Sequence, residues 1–243
     1  MSEPIVCLPK ILPRELWIKA ARTATDINPL NHPPIERLVR VMPGYAPQPE
    51  HLAVLTTKYW HTGGVKLTVG FLDSPTQDLR NRILLHMNAW NKTAKVQFAE
   101  TNTNPQVRIL RAGGSNGGYW SYLGTDILSI PVNEPTMNLE AFTMNTPDSE
   151  FHRVVRHETG HTMGFPHEHM RKELVDKIDS AKAIAFFGAT QGWSADEVRQ
   201  QVLTPIEESS LWGTAHADPK SIMCYQSQVR LLRTASRSLE GPI

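Results

Sequence analysis

The chain has 243 residues, of which 40% are apolar and 20% charged, with a formal net charge of +1. That is an ordinary globular composition, long enough to bury its own core, and it offers no broad field for nucleic acid or an anionic lipid surface. Two cysteines, Cys7 and Cys224, are too few for a disulfide framework, and no apolar run reaches the length of a membrane span.

The N-terminal stretch MSEPIVCLPKILPRELW lacks the basic start and continuous apolar run of a secretory signal. Residues 1–50 carry half of the chain's 18 prolines. Proline fixes φ and removes a donor, so long regular elements are not expected after Leu30; one short helix is predicted around residues 14–25. The region reads as a Pro-rich extension wrapping the main domain, as a removable pro-segment, or as a poorly ordered tail. The run Val65–Phe71, VKLTVGF, alternates and is β-branched, which predicts a strand. Ser74 and Pro75 then suit the opening of a helix through about Trp90, with Leu79, Ile83, Leu84, Met87 and Trp90 on one apolar stripe. Short strands are expected at residues 96–99, 106–110, 119–123 and 127–130. The loop GGSNGG lacks the Lys and Ser/Thr of a phosphate loop and no helix follows it. Further helices are predicted at 150–163, capped by Asp148 or Ser149, and at 175–187 and 194–203. The last opens on a capping box formed by Ser194 and Glu197.

The chemistry concentrates in His157-Glu158-Thr159-Gly160-His161-Thr162-Met163-Gly164-Phe165-Pro166-His167. Positions four apart share a helix face, so His157 and His161 can present two imidazoles to one Zn²⁺ ion. Glu158 is rotated about 100° from His157, within reach of a metal-bound water without being a ligand. On a continuous helix His167 would lie roughly 15 Å from His157, too far to share the ion. The helix must therefore end and turn back, and Gly164 and Pro166 stand where that break is needed. A histidine-rich surface helix would not require Glu158, Gly164 and Pro166 together. His32, His51, His61, His86, His152 and His216 are read as non-ligands, and His169 as a surface or supporting residue.

The segment HETGHTMGFPHEHMR, residues 157–171, resembles the zinc signature of the metzincin metallopeptidases and, within them, the astacin family. Ser221-Ile222-Met223-Cys224-Tyr225 resembles the family's Met-turn, and Gly118-Tyr119-Trp120-Ser121-Tyr122-Leu123-Gly124 resembles the segment before its active-site helix. The similarity covers roughly residues 58–225. It implies an α+β, two-lobed catalytic domain over residues 51–243. The upper lobe, to about 164, would hold a twisted mixed sheet, a backing helix and the active-site helix. The lower, irregular helical lobe would run from about 165. It further implies Met223 as an apolar floor, Tyr225 as an oxyanion donor, and a protein or peptide substrate paired as an extended strand along residues 119–123. Secretion is implied by the family; the chain's own sequence leaves the cytosol open. The sequence departs from the family at Tyr119, a usual cysteine position, at Cys224, where the Met-turn has His, and in lacking the FxGD motif in residues 1–50. The tail with Arg230, Arg233 and Arg237 does not resemble the family's C-terminal helix.

The expected activity is zinc-dependent endopeptidase cleavage, with the ion on His157, His161 and His167, Glu158 as general base and Tyr225 stabilising the oxyanion. Two alternatives stand beside it: a two-His-plus-Glu site using Glu173 or a later acid, and an inactive or latent zinc-binding module of the same fold. Cys7 is read three ways: as a thiolate on the fourth metal position, as a disulfide partner of Cys224, or as a free thiol.

Overall fold

Strand β1 (Val65–Phe71) forms where the sequence alternates, burying Leu67 and Val69 on one face. In the computed structural model, which describes Cys7 and residues 10–32, 56–206 and 214–224, this strand lies inside a five-stranded sheet of order β2-β1-β3-β5-β4. Its neighbours β2 (Val96–Glu100) and β3 (Val107–Leu110) both run parallel to it. A parallel neighbour needs a crossover, and helix α2 (Gln77–Met87) supplies it between β1 and β2. Strand β5 (Met137–Leu139) continues the parallel set, and β4 (Tyr119–Ser121) closes the sheet as an antiparallel edge.

Several expectations shift here. Helix α2 starts at Gln77, not at Ser74, because Ser74 sits at φ 49°, in the left-handed region, and turns the chain out of β1. It ends at Met87 and tightens into a 3-10 segment, Asn88–Lys92. The strand expected at 127–130 is instead part of a 3-10 segment, Gly124–Ser129. Met137–Leu139, fully buried and only three residues long, offers no alternation to detect.

The helix bearing His157 and His161 has three parts. An opening turn, Asp148–Glu150, leads into π-helical turns over Phe151–Val155 and then α3 (Arg156–Thr162). Pro147 precedes it and no side chain caps it, so neither Asp148 nor Ser149 acts as the cap. Phe151, Val154 and Val155 join Leu79, Ile83 and Met87 of α2 and the sheet residues Val69, Phe98, Ile109 and Leu139 in one core. Each such side chain stabilises the fold by about 1.5–3 kcal/mol on burial.

The N-terminal extension contributes α1 (Trp17–Ile27), preceded by a 3-10 turn, Arg14–Leu16. Leu12 and Ala20 pack with Ile130, flanked by Leu16, Trp17 and Tyr122. Prolines 33, 34, 43, 47 and 49 lie outside the described residues.

The described chain divides into two compact units, residues 7–166 and residues 167–206 with 214–224. The second holds α4 (Lys172–Val175), α5 (Ser180–Gln191) and α6 (Ala195–Val198), the last running into π turns over Arg199–Leu203. The helix expected over 175–187 is interrupted: Asp179 takes an extended conformation and its side chain caps α5 by accepting from Lys182 N–H. The capping box of Ser194 and Glu197 is present. Phe187 stacks on Trp193, with ring centroids 5.0 Å apart.

Candidate metal centre

Helix α3 ends by a Schellman arrangement. Gly164 lies at φ 103°, its N–H donates to His161 C=O at 2.8 Å, and Phe165 N–H donates to Gly160 C=O at 3.0 Å. A Cβ at Gly164 would meet Lys58 O and the Tyr59 ring, each at 3.1 Å. The turn therefore needs glycine for both conformation and space. Pro166 follows, and His167, itself extended, caps a 3-10 turn over Glu168–Met170.

His157, His161 and His167 are all buried, as expected of ligands, and Cys7 is buried with them. Each of the four offers one ligand atom, and these atoms lie within 4.8 Å of one another. A tetrahedral zinc site places its nitrogen and sulfur donors about 3.3–3.8 Å apart. Three imidazoles and one thiol fit zinc by donor type and by number, and closing round an ion would draw the outermost donors somewhat nearer than the 4.8 Å limit seen here. The His157 and His161 rings stand nearly perpendicular, 4.8 Å between centroids. His161 Nδ1 is 2.7 Å from Phe165 O, a contact that fixes this nitrogen as the N–H donor and leaves Nε2 for a metal.

Glu158 is buried beside this group. Burial, the largest influence, pushes its carboxyl up to about 8, against the lowering effects of the Cys7 hydrogen bond and the Arg153 charge. The Cys7 thiol donates to Glu158 Oε2 at 3.5 Å, and burial together with that carboxylate raises the thiol well above its ordinary value. Arg153 is one feature that spacing does not reveal. It sits one turn before His157, held by Glu150 through contacts of 3.0 and 2.7 Å. Nothing in the periodicity marks it, since its place is set by the fold, 5.7 Å from the Tyr119 ring.

Cys7 reaches this place because the extension runs along the sheet edge. Cys7 pairs with Tyr119 and Lys10 with Tyr122, both in parallel register, and Lys10 Nζ lies 4.6 Å from the Trp120 ring. Cys7 and Cys224 are both buried, and no disulfide joins them in this structure.

Tyr225 lies outside the described residues. Met223 is buried, and its carbonyl accepts from Glu168 N–H at 3.1 Å. His169 is wholly buried, not a surface residue; it stacks on His167 at 4.8 Å. Glu173 accepts from Ala217 N–H and pairs with Lys177 and His216, and it is not in the ligand group. His86 faces Asp148 at 3.3 Å, and His152 is exposed.

Three histidines on a helix and its exit, with a buried glutamate next to the first, fit the centre of a zinc metalloendopeptidase. The model of the astacin peptidase family matches residues 54–230, and the chain belongs to that family. It is similar to the zinc metalloproteinase nas-27 of Caenorhabditis elegans, at 24% identity over 151 residues. That match takes in 52% of this chain, which spans about a third of the relative's length, 32%. Two solved structures of myroilysin are similar, each at 33% identity. One covers 72% of this chain and 84% of its own with a TM-score of 0.64; the other covers 69% and 72% with a TM-score of 0.52. Cys7 and α1 fall outside the stretch matched by the family. Among the described residues no helix is long and apolar enough to cross a membrane.

Proposed function

We propose that the chain hydrolyses internal peptide bonds of proteins, with zinc on His157, His161 and His167, and that Cys7 holds the same centre latent while the N-terminal segment is attached. The observation that carries this is the four-donor group with Glu158 buried against it. Bound zinc supplies a Lewis acid and an acidified water. Glu158 Oε2, where the Cys7 S–H now donates, takes the water's proton and delivers it to the leaving amine. A cation on the three histidines favours the ionised form of Glu158, offsetting the burial that raises it. Tyr225 donates to the developing oxyanion. The substrate lies extended along β4, and residues 51–243 form the catalytic domain behind a pro-segment, residues 1–50. Secretion follows from the family resemblance.

The latent reading rests on Cys7 alone among the residues before the matched stretch. Its thiol is in the ligand group, and its segment occupies the β4 edge that the substrate needs. Hydrolysis of a quenched fluorescent peptide by a Cys7→Ser chain tests the peptidase part. A chelator abolishes cleavage and zinc restores it. Glu158→Gln lowers the rate by at least about 100-fold while zinc stays at one per chain. Full activity in Glu158→Gln contradicts the assignment.

A further inference from the structure

Asn31 is wholly buried at the end of the helical turn Pro29–Asn31, and its amide uses every hydrogen-bonding capacity it has. Nδ2 donates to Ala24 O at 2.9 Å and Tyr59 O at 2.8 Å. Oδ1 accepts from Thr57 Oγ1 at 2.8 Å and from Tyr59 N–H at 2.9 Å. The backbone adds Thr57 N–H to Asn31 O at 3.2 Å, and Asn28 Nδ2 donates to Trp60 O at 2.8 Å. Two buried asparagines of the extension thus hold residues 57–60 along their whole length.

That short segment is in turn built against the end of the active-site helix. Trp60 Nε1 donates to Thr162 O at 2.8 Å, in the turn that carries His161. Lys58 O accepts from Thr125 N–H at 3.0 Å and lies 3.1 Å from where a Cβ of Gly164 would stand. The Gly164 turn directs Phe165 O to His161 Nδ1. A chain of direct contacts therefore runs from Asn31 through residues 57–60 to the orientation of one ligand imidazole.

We infer that Asn31 is a positioning residue for the metal centre: the extension beyond Leu12 braces the ligand helix and is not merely a cover over it. The inference rests on the metal centre proposed above. It separates two roles within one extension. The stretch bearing Cys7 meets the ligands themselves, whereas Asn28 and Asn31 set the helix that presents them.

Asn31→Asp tests it, since a carboxylate oxygen then faces the carbonyls of Ala24 and Tyr59 and can donate to neither. In the full chain, cobalt(II) affinity falls about tenfold with an altered visible absorption band, the size expected when a ligand's supporting shell is lost. In the metal-free protein, exchange of the Gly164 and Phe165 amides quickens about tenfold, as their turn opens more often. In a Cys7→Ser background kcat falls about tenfold with KM held within about twofold. A folded Asn31→Asp protein with lower thermal stability but unchanged cobalt affinity and unchanged exchange at these amides overturns the inference. Should Asn31→Asp fail to fold, Trp60→Phe keeps an aromatic ring and deletes the bond to Thr162; unchanged affinity and exchange there overturn it equally. If no variant cleaves peptide, the peptidase reading fails, while the affinity and exchange measurements still decide whether the brace exists.

Discussion

The thiol of Cys7 and the carboxyl of Glu158 meet at 3.5 Å in buried surroundings, and each holds its proton more tightly than it would in water. Zinc binding by Cys7 needs the thiolate, so the contact places a proton acceptor beside the group that must release one. Cys7→Ser keeps a donor toward Glu158 but removes the soft ligand. Removing a block that leaves under about a tenth of molecules open should raise the peptidase rate of the full chain at least about tenfold. An unchanged rate in the fluorescent peptide assay would leave Cys7 without a role in latency. A second buried residue acts purely on stability. Arg108 is almost fully buried, and its guanidinium donates to five carbonyls, those of Pro105, Gln106, Ile127, Ile130 and Glu134, at 2.7–3.4 Å. Arg108→Met leaves these acceptors without that donor and should cost about 3 kcal/mol in a urea titration. The candidate ligands were legible in the sequence because helix periodicity and turn chemistry are local. Asn31 and Arg108 were not, because their partners are mostly backbone groups that only the fold brings near.

At the scale of elements, the break after α3 carries the site. Gly164→Ala should destabilise by at least about 1–2 kcal/mol, because φ of 103° disfavours any Cβ and Lys58 O already stands at 3.1 Å. The same change should weaken metal binding, since Phe165 O leaves His161; isothermal titration with zinc reads this separately from the denaturation midpoint. Where sequence patterning misplaces an element, the cause is again physical. Residues 127–130 have strand-like composition, yet Ile127 O and Ile130 O both turn to Arg108 instead of alternating toward neighbouring strands. Gly124, at φ 49° and packed so closely on Lys58 O that no Cβ fits, forces the turn that begins the 3-10 segment. The break between α4 and α5 is hidden because Asp179 caps through a side chain whose alternative, a continued helix, the sequence equally permits. Val65–Phe71 is legible over its full length, since alternation is the property that burial on one face demands.

For the whole molecule, one buried ion pair ties stability to pH. Asp126 and Lys58 face each other at 3.6 Å, both side chains nearly buried, at 13% and 11% exposure. Burial outweighs the attraction of Lys58 and raises the Asp126 carboxyl from 3.8 to about 6. Because the folded value lies above the unfolded one, the folded state binds the extra proton between roughly pH 4 and pH 6. The stability this proton gives is complete below about pH 4 and lost as pH rises through about 6. The change corresponds to about 3 kcal/mol. The difference in unfolding free energy between the wild type and Asp126→Asn should shift by that order between about pH 4 and pH 7; a flat difference would show that Asp126 is not perturbed.

The contacts of Asn28 and Asn31 with residues 57–60 and the pairing of Cys7 with Tyr119 make the N-terminal extension part of the architecture around the helix of His157 and His161. Zinc-edge anomalous diffraction from crystals of the full chain tests this account most directly. It predicts one peak, bonded to His161 through Nε2, to His157 and His167 through ring nitrogens, and to Cys7 Sγ, with Glu158 beside it but not bonded. A peak that lacks His167, or that is ligated by Glu158 or Glu173, would contradict it.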